Sequence, residues 1–119
     1  PDLAVTPDQG GGGRVRVFSG AGFGQIADFF AIQDENFFGG ARVAIGDIDN
    51  DGFADLIVSA GFGGGPRVAG FDGQALAGGQ VVKAFADFFA FEDSLRNGAF
   101  VTVADIDGDG FGEVIAGAG

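Results

Sequence analysis

The chain of 119 residues has no cysteine, histidine, methionine, tryptophan or tyrosine, and only six basic residues against 17 acidic ones. Without Cys or His there is no disulfide framework, zinc finger, haem ligation through those side chains, Cys nucleophile or Ser-His-Asp triad. Any metal must be held by oxygen. A formal net charge of −11 repels nucleic-acid phosphate, and no basic run offsets it, so nucleic-acid binding is excluded. No apolar stretch approaches the roughly 20 residues that span a bilayer, so no membrane insertion is expected. Pro1-Asp2-Leu3-Ala4-Val5 lacks the basic leader and apolar core of a secretory signal, and no targeting segment is expected in this chain.

What is abundant is glycine, with 25 residues, and phenylalanine, with 15, in a sequence that is 46% hydrophobic. That is too apolar for a charged disordered chain. Internal repetition organises the rest. Gly46-Asp47-Ile48-Asp49-Asn50-Asp51-Gly52-Phe53-Ala54-Asp55 returns 58 residues later as Ala104-Asp105-Ile106-Asp107-Gly108-Asp109-Gly110-Phe111-Gly112-Glu113. Asp2-Leu3-Ala4-Val5 returns as Asp55-Leu56-Ile57-Val58, and Arg14-Val15 as Arg67-Val68, both 53 residues on. Asp28-Phe29-Phe30-Ala31 returns 59 residues on as Asp87-Phe88-Phe89-Ala90. The change of offset places an insertion of about five residues in the second unit, at residues 74 to 80. Repeats of this length form propellers or solenoids, in which a unit cannot cover its own apolar faces and stacks on its neighbours.

Short β-branched and aromatic runs between glycine-rich turns predict four strand types. Type A covers 41 to 46 and 99 to 104; type B covers 2 to 5, 55 to 59 and 113 to 116; type C covers 14 to 18 and 66 to 71; type D covers about 25 to 31 and 81 to 90. No segment has the periodicity of an amphipathic helix. Ser19-Gly20 and Asp72-Gly73 are expected to turn C into D. The glycine runs at 10 to 13 and 61 to 65 lack the Gly-Lys-Ser/Thr ending of a phosphate loop and are expected to be close turns. The predicted fold is an all-β propeller with four-stranded antiparallel blades and two blade equivalents in residues 1–119. Its repeat units cover about 1–54 and 55–112, with an extra strand at 113–119.

The chemistry is concentrated in the acidic loops. Asp47, Asp49, Asp51 and Asp55 stand at loop positions 1, 3, 5 and 9, matched by Asp105, Asp107, Asp109 and Glu113. Calcium takes six to eight hard oxygen ligands, and alternating carboxylates can surround it, with the Phe53 or Phe111 carbonyl contributing at position 7. Magnesium, with its smaller and more rigid octahedron, suits this arrangement less well. Gly52 and Gly110 allow the chain to turn back. A strand follows and no Glu stands at position 12, which separates these loops from an EF-hand. Glu113 adds one methylene at position 9, so the second loop is expected to coordinate differently or less strongly.

The alternative reading is an acidic turn with no ion. Like-charge repulsion among clustered carboxylates favours calcium, since two dications add four positive charges to the −11. Phe29, Phe30, Phe37, Phe38, Phe88, Phe89 and Phe91 are expected to pack between blades, the alternative being a ligand platform. Arg14, Arg42 and Arg67 are expected to pair with nearby Asp or Glu, the alternative being recognition of an acidic group.

The run from Val43 through Gly61, with its Asp-x-Asp-x-Asp-Gly-x-x-Asp loop between two strands, resembles FG-GAP and VCBS-like repeats of integrin alpha-chain propellers, bacterial surface proteins and some fungal lectins. The second copy is similar but ends in Glu113. The resemblance implies a β-propeller with structural calcium in each A-to-B loop and an extracellular or cell-surface setting. Its interaction surfaces would lie on loops or between blades. The narrow residue alphabet also suits a designed or reconstructed repeat.

Two blade equivalents cannot close a ring of four to eight blades, so three or four copies are expected to assemble into six or eight. The expected function is a calcium-binding structural or interaction module, with a lectin-like carbohydrate-binding module as the alternative. Protein or carbohydrate ligands are the candidate partners. No activated nucleophile is present, and catalysis, with a metal-dependent hydrolase as its only form, is not expected.

Overall fold

A computed structural model describes residues 2–119. Pro1, the first residue of the expected first unit, lies outside them. The chain builds three antiparallel sheets in succession. The first holds β1 (Leu3–Val5), β2 (Arg14–Phe18) and β3 (Gln25–Phe30), in that order. The second holds β4 (Ala41–Gly46), β5 (Asp55–Ala60), β6 (Arg67–Phe71) and β7 (Lys83–Phe89). The third is the pair β8 (Ala99–Ala104) and β9 (Glu113–Ala118). The expected A, B, C and D segments are thus strands, side by side in that order, and the all-β reading of blade-type sheets holds.

Alternation in the sequence sets which side chains are covered. In β2 the Arg14 and Arg16 side chains point outward while Val15 and Val17 are buried. Val15 and Val17 share one core cluster with Leu56, Val58, Ala69, Phe71 and Leu76, which joins the first sheet to the second. Every residue of β5 is buried because neighbours cover both of its faces. Leu56 and Val58 face the first sheet, and Ser59 on the other face donates its hydroxyl to the Ala99 carbonyl of β8. A strand covered on both sides reads as a continuous apolar run, which explains Leu56-Ile57-Val58.

The sheets are stitched by bonds that recur at equivalent positions. Gly10 N–H donates to the Phe38 carbonyl at 2.7 Å, and Gly63 N–H to the Arg96 carbonyl at 2.6 Å. Gly40 N–H donates to Gly11, and Gly98 N–H to Gly64. Thr6 Oγ1 donates to the Ala41 carbonyl at 2.8 Å, the counterpart of the Ser59 bond. Gly40 and Gly98 sit at φ +76° and +64° against the backbone of the preceding sheet, where a Cβ would meet the Asp8 and Ala60 carbonyls. Only glycine fits both the conformation and the approach.

Three expectations need correction. A short helix, α1 (Gly73–Ala77), occupies the five-residue insertion, with Asp72 at its N-cap position instead of in a two-residue hairpin. Ala75, Leu76 and Ala77 favour helix, and Leu76 is buried in the core cluster. One turn is too short to produce a periodic signal.

Arg14 and Arg67 pair with Asp28 and Asp87 as expected. Among the described residues Arg42 pairs with no acid: its guanidinium lies 3.9 Å above the Phe100 ring and donates to the Asn97 carbonyl at 2.8 Å. The Phe100 ring and the Asn97 carbonyl take the place of the expected acid.

Among the phenylalanines, Phe29 packs edge-on against Phe71 with ring centroids 5.0 Å apart, joining two sheets as expected. Phe30, Phe38, Phe88 and Phe89 are exposed instead. Phe30, Phe88 and Phe89 belong to β3 and β7, the outer edges of their sheets, where no further strand covers them.

Candidate metal centre

The two acidic loops connect β4 to β5 and β8 to β9, and each folds around its own first carboxylate. Asp47 accepts from Asp51 N–H at 3.2 Å and Gly52 N–H at 2.9 Å. Asp105 accepts from Gly108, Asp109 and Gly110 N–H groups at 2.9, 3.1 and 2.9 Å. Gly52 and Gly110 have φ of +86° and +87°, the left-handed conformation that returns the chain toward position 1. Asp51 and Asp109 each accept from the N–H of the phenylalanine two residues on, at 2.8 and 2.9 Å. The Phe53 and Phe111 amides are thus bonded within their loops.

Position 9 closes each loop. Asp55 Oδ2 accepts from Ile48 N–H at 3.1 Å, and Glu113 Oε1 accepts from Ile106 N–H at 2.7 Å. The extra methylene of Glu113 is absorbed without loss of this bond. Asp55 also accepts from Gly73 N–H, at the start of α1, at 2.9 Å. That second bond holds it under the turn after β6, where it is 0% exposed. Asp2, at the same position of the first sheet, accepts from Gly20 N–H at 3.0 Å.

All four carboxylates of the second loop, from Asp105, Asp107, Asp109 and Glu113, offer oxygens within 4.8 Å of one another. In the first loop Asp47, Asp49 and Asp55 meet that distance together, while Asp51 groups with Asp49 and Asp72. In the sequence Asp72-Gly73 has the pattern of a turn, which gives no sign that Asp72 approaches the loop. The repeat held the clue, because the Ser19-Gly20 and Asp72-Gly73 turns both lie beside a position-9 carboxylate.

Crowding shifts the carboxyl pKa values. Removal from water, followed by the Asp55 charge, raises Asp49 to about 6. Burial raises Asp55 against the bonds from Gly73 and Ile48. Asp47 is lowered: burial opposes its ionisation, but the Gly52 and Asp51 amides outweigh it. Asp105 is lowered chiefly by the Gly110 amide.

The donor set passes the test of hard-cation chemistry. It is oxygen-only and gathered within 4.8 Å, with backbone amides on Asp47 and Asp105. Of the expected ligands, Asp47, Asp49 and Asp55 come together in one loop, with Asp51 beside Asp49, and Asp105, Asp107, Asp109 and Glu113 come together in the other. The loops also touch: Gly112 N–H donates to the Asp47 carbonyl at 2.8 Å.

A family model for the FG-GAP repeat matches residues 39–77, the span from the turn before β4 to the end of α1. No curated protein and no solved structure matches the chain. No helix among the described residues is long and apolar enough to cross a membrane.

Proposed function

We propose that this chain, which carries an FG-GAP repeat, is a calcium-stabilised propeller module that assembles with further copies and presents interaction surfaces outside the cell. The module reading rests on the repeat, a unit of propeller-type structural and interaction modules found in extracellular or surface proteins. The observation that carries the metal reading is the duplicated clustering of carboxylates at the same place in two sheets. A bound dication supplies positive charge that offsets their repulsion and lets each loop keep one conformation. The chain's own residues do the rest: amides fix Asp47 and Asp105, and β5 and β9 bring the position-9 carboxylates back to the start of the loop.

The test is calcium titration by calorimetry on the intact chain. Two binding events are expected, one of them removed by Asp105→Asn with Asp107→Asn. An unchanged heat in that variant would refute the metal reading.

Carbohydrate binding is a second reading, favoured by an open cleft of about 1120 Å³ between the first and second sheets. Phe29, Phe30, Phe89 and Arg67 are among the residues lining it. Glycan-array binding abolished by Phe30→Ala, with calcium binding retained, would support that reading.

A further inference from the structure

We infer that the two acidic loops act as a coupled pair: with calcium as their ligand, as proposed above, filling either loop raises the affinity of the other through the peptide groups that join them. The coupling rests on the calcium reading and can fail while that reading stands.

The joint is a line of two peptide groups. In the first loop the Asp47–Ile48 peptide donates its N–H to Asp55 Oδ2 at 3.1 Å, and its carbonyl accepts from Gly112 N–H at 2.8 Å. The Gly112 N–H belongs to the same planar unit as the Phe111 carbonyl, the position-7 ligand expected from the sequence. In a trans peptide these two groups point opposite ways. The bond to Asp47 therefore turns the Phe111 oxygen away from the first loop and holds it there. Two hydrogen bonds and two rigid units thus connect the position-9 carboxylate of one loop to the position-7 carbonyl of the other.

The contact is close enough to transmit a displacement. A Cβ on Gly112 would lie 2.9 Å from the Asp47 oxygen and 2.7 Å from Val103 Cγ1, so only glycine lets the loops approach this closely; the first loop has Ala54 at the same position. Beside it the Asn50 side chain, at position 4 of the first loop, covers Gly110, where an added Cβ would lie 3.2 Å from Asn50 Nδ2. The first loop grips the Asp47–Ile48 peptide from both sides, since the Asp47 carboxylate collects the Asp51 and Gly52 amides while Asp55 takes the Ile48 amide. Once a cation offsets the repulsion between these carboxylates, the peptide between them stays in one place. The Phe111 oxygen is then already ordered when the second loop fills, which lowers the ordering cost of binding there. By reciprocity the second loop does the same for the first. Two dications repel each other, but salt screens that repulsion over about 8 Å at physiological ionic strength and leaves the peptide contact in place.

Calcium calorimetry compares the unmodified chain with one whose second loop is disabled by Asp105→Asn and Asp107→Asn, and with one whose first loop is disabled by Asp47→Asn and Asp49→Asn. The product of the two affinities in the unmodified chain, divided by the product of the two single-loop affinities, is expected to be about five or more. A ratio of one or less overturns the coupling and leaves the metal reading intact, whereas no calcium heat in any chain refutes the metal reading and the coupling with it. The same set carrying Gly112→Ala, which gives the second loop the residue the first already accepts, is expected to return a ratio near one. Asn50→Gly, the second loop's own residue at a position with φ +58°, is expected to lower the ratio as well. A ratio unchanged in Gly112→Ala, or in Asn50→Gly where Gly112→Ala does not fold, overturns the joint as the route. Raising the ionic strength from about 0.01 M to about 0.15 M is expected to raise the ratio, and a fall overturns the ordering argument. In the chain with the second loop disabled, calcium at the first loop is expected to shift the NMR resonance of the Gly112 amide; a silent amide overturns the coupling.

Discussion

The loops at 47–55 and 105–113 share a sequence pattern and an internal hydrogen-bond plan but differ in their surroundings. Both wrap amides around position 1 and return a carboxylate from position 9 to the amide of position 2. Among the described residues, a roof covers the first alone. Asp55 lies under the start of α1 and is fully buried, while Glu113 remains partly open with one amide. The loop residues alone dictate the turn; the third strand of the blade and the turn after it dictate burial, charge crowding and the cost of losing a ligand.

Four substitutions or conditions separate these contributions. Asp55→Ala strips two amides of their acceptor inside the protein and is expected to cost about 3 kcal/mol. Glu113→Ala, at a partly open site with one amide, is expected to cost about 1 kcal/mol. Urea unfolding of both variants checks this, and equal losses would mean that the roof contributes nothing.

Calcium affinity gives the next effect. Asp55→Ala should weaken the first site at least about tenfold more than Glu113→Ala weakens the second, a difference of about 1.4 kcal/mol. Indistinguishable losses in calorimetry would contradict the comparison.

Acid probes Asp49, whose pKa is raised to about 6. Below pH 6 calcium must displace its proton, so affinity at the first loop should fall, reaching about tenfold loss at pH 5. In the metal-free protein the sign is opposite. A carboxyl whose folded pKa exceeds its unfolded value binds more protons when folded, so its destabilising effect is present above pH 6 and relieved as pH falls toward 4. Asp28, lowered mainly by its bond from Arg14, contributes stability above its unfolded pKa that is lost as pH falls through the folded one. Carboxyl NMR titration resolves the two groups.

The smallest effect is expected from Asp72→Ala, which removes a negative charge beside Asp49 and Asp51. Calcium affinity should fall about two- to threefold at the first loop, as for a partly screened charge, and remain unchanged at the second.

The sequence was most informative where the repeat and the local pattern agreed. Arg14–Phe18, Ala41–Gly46 and Ala99–Ala104 are strands over the expected residues, and the loop positions 1, 3 and 9 come together in both copies. It was least informative where contacts cross between sheets. Arg42 meets Phe100, and Asp72 meets the loop that begins 25 residues before it, through folding that no spacing rule encodes. The single turn of α1 escaped because a buried Leu76, and not periodicity, anchors it.

The joints between sheets have a further consequence. Gly10 donates to the carbonyl of a phenylalanine and Gly63 to that of an arginine, yet the bond is the same. Gly112 likewise grips the Asp47 carbonyl, leaving the carboxylate outside the exchange. Because main chain meets main chain, the residue on the accepting side is unconstrained by the joint itself. A blade can be copied, and its side chains rewritten for a new surface, while the hinge that fastens it to its neighbour needs no redesign.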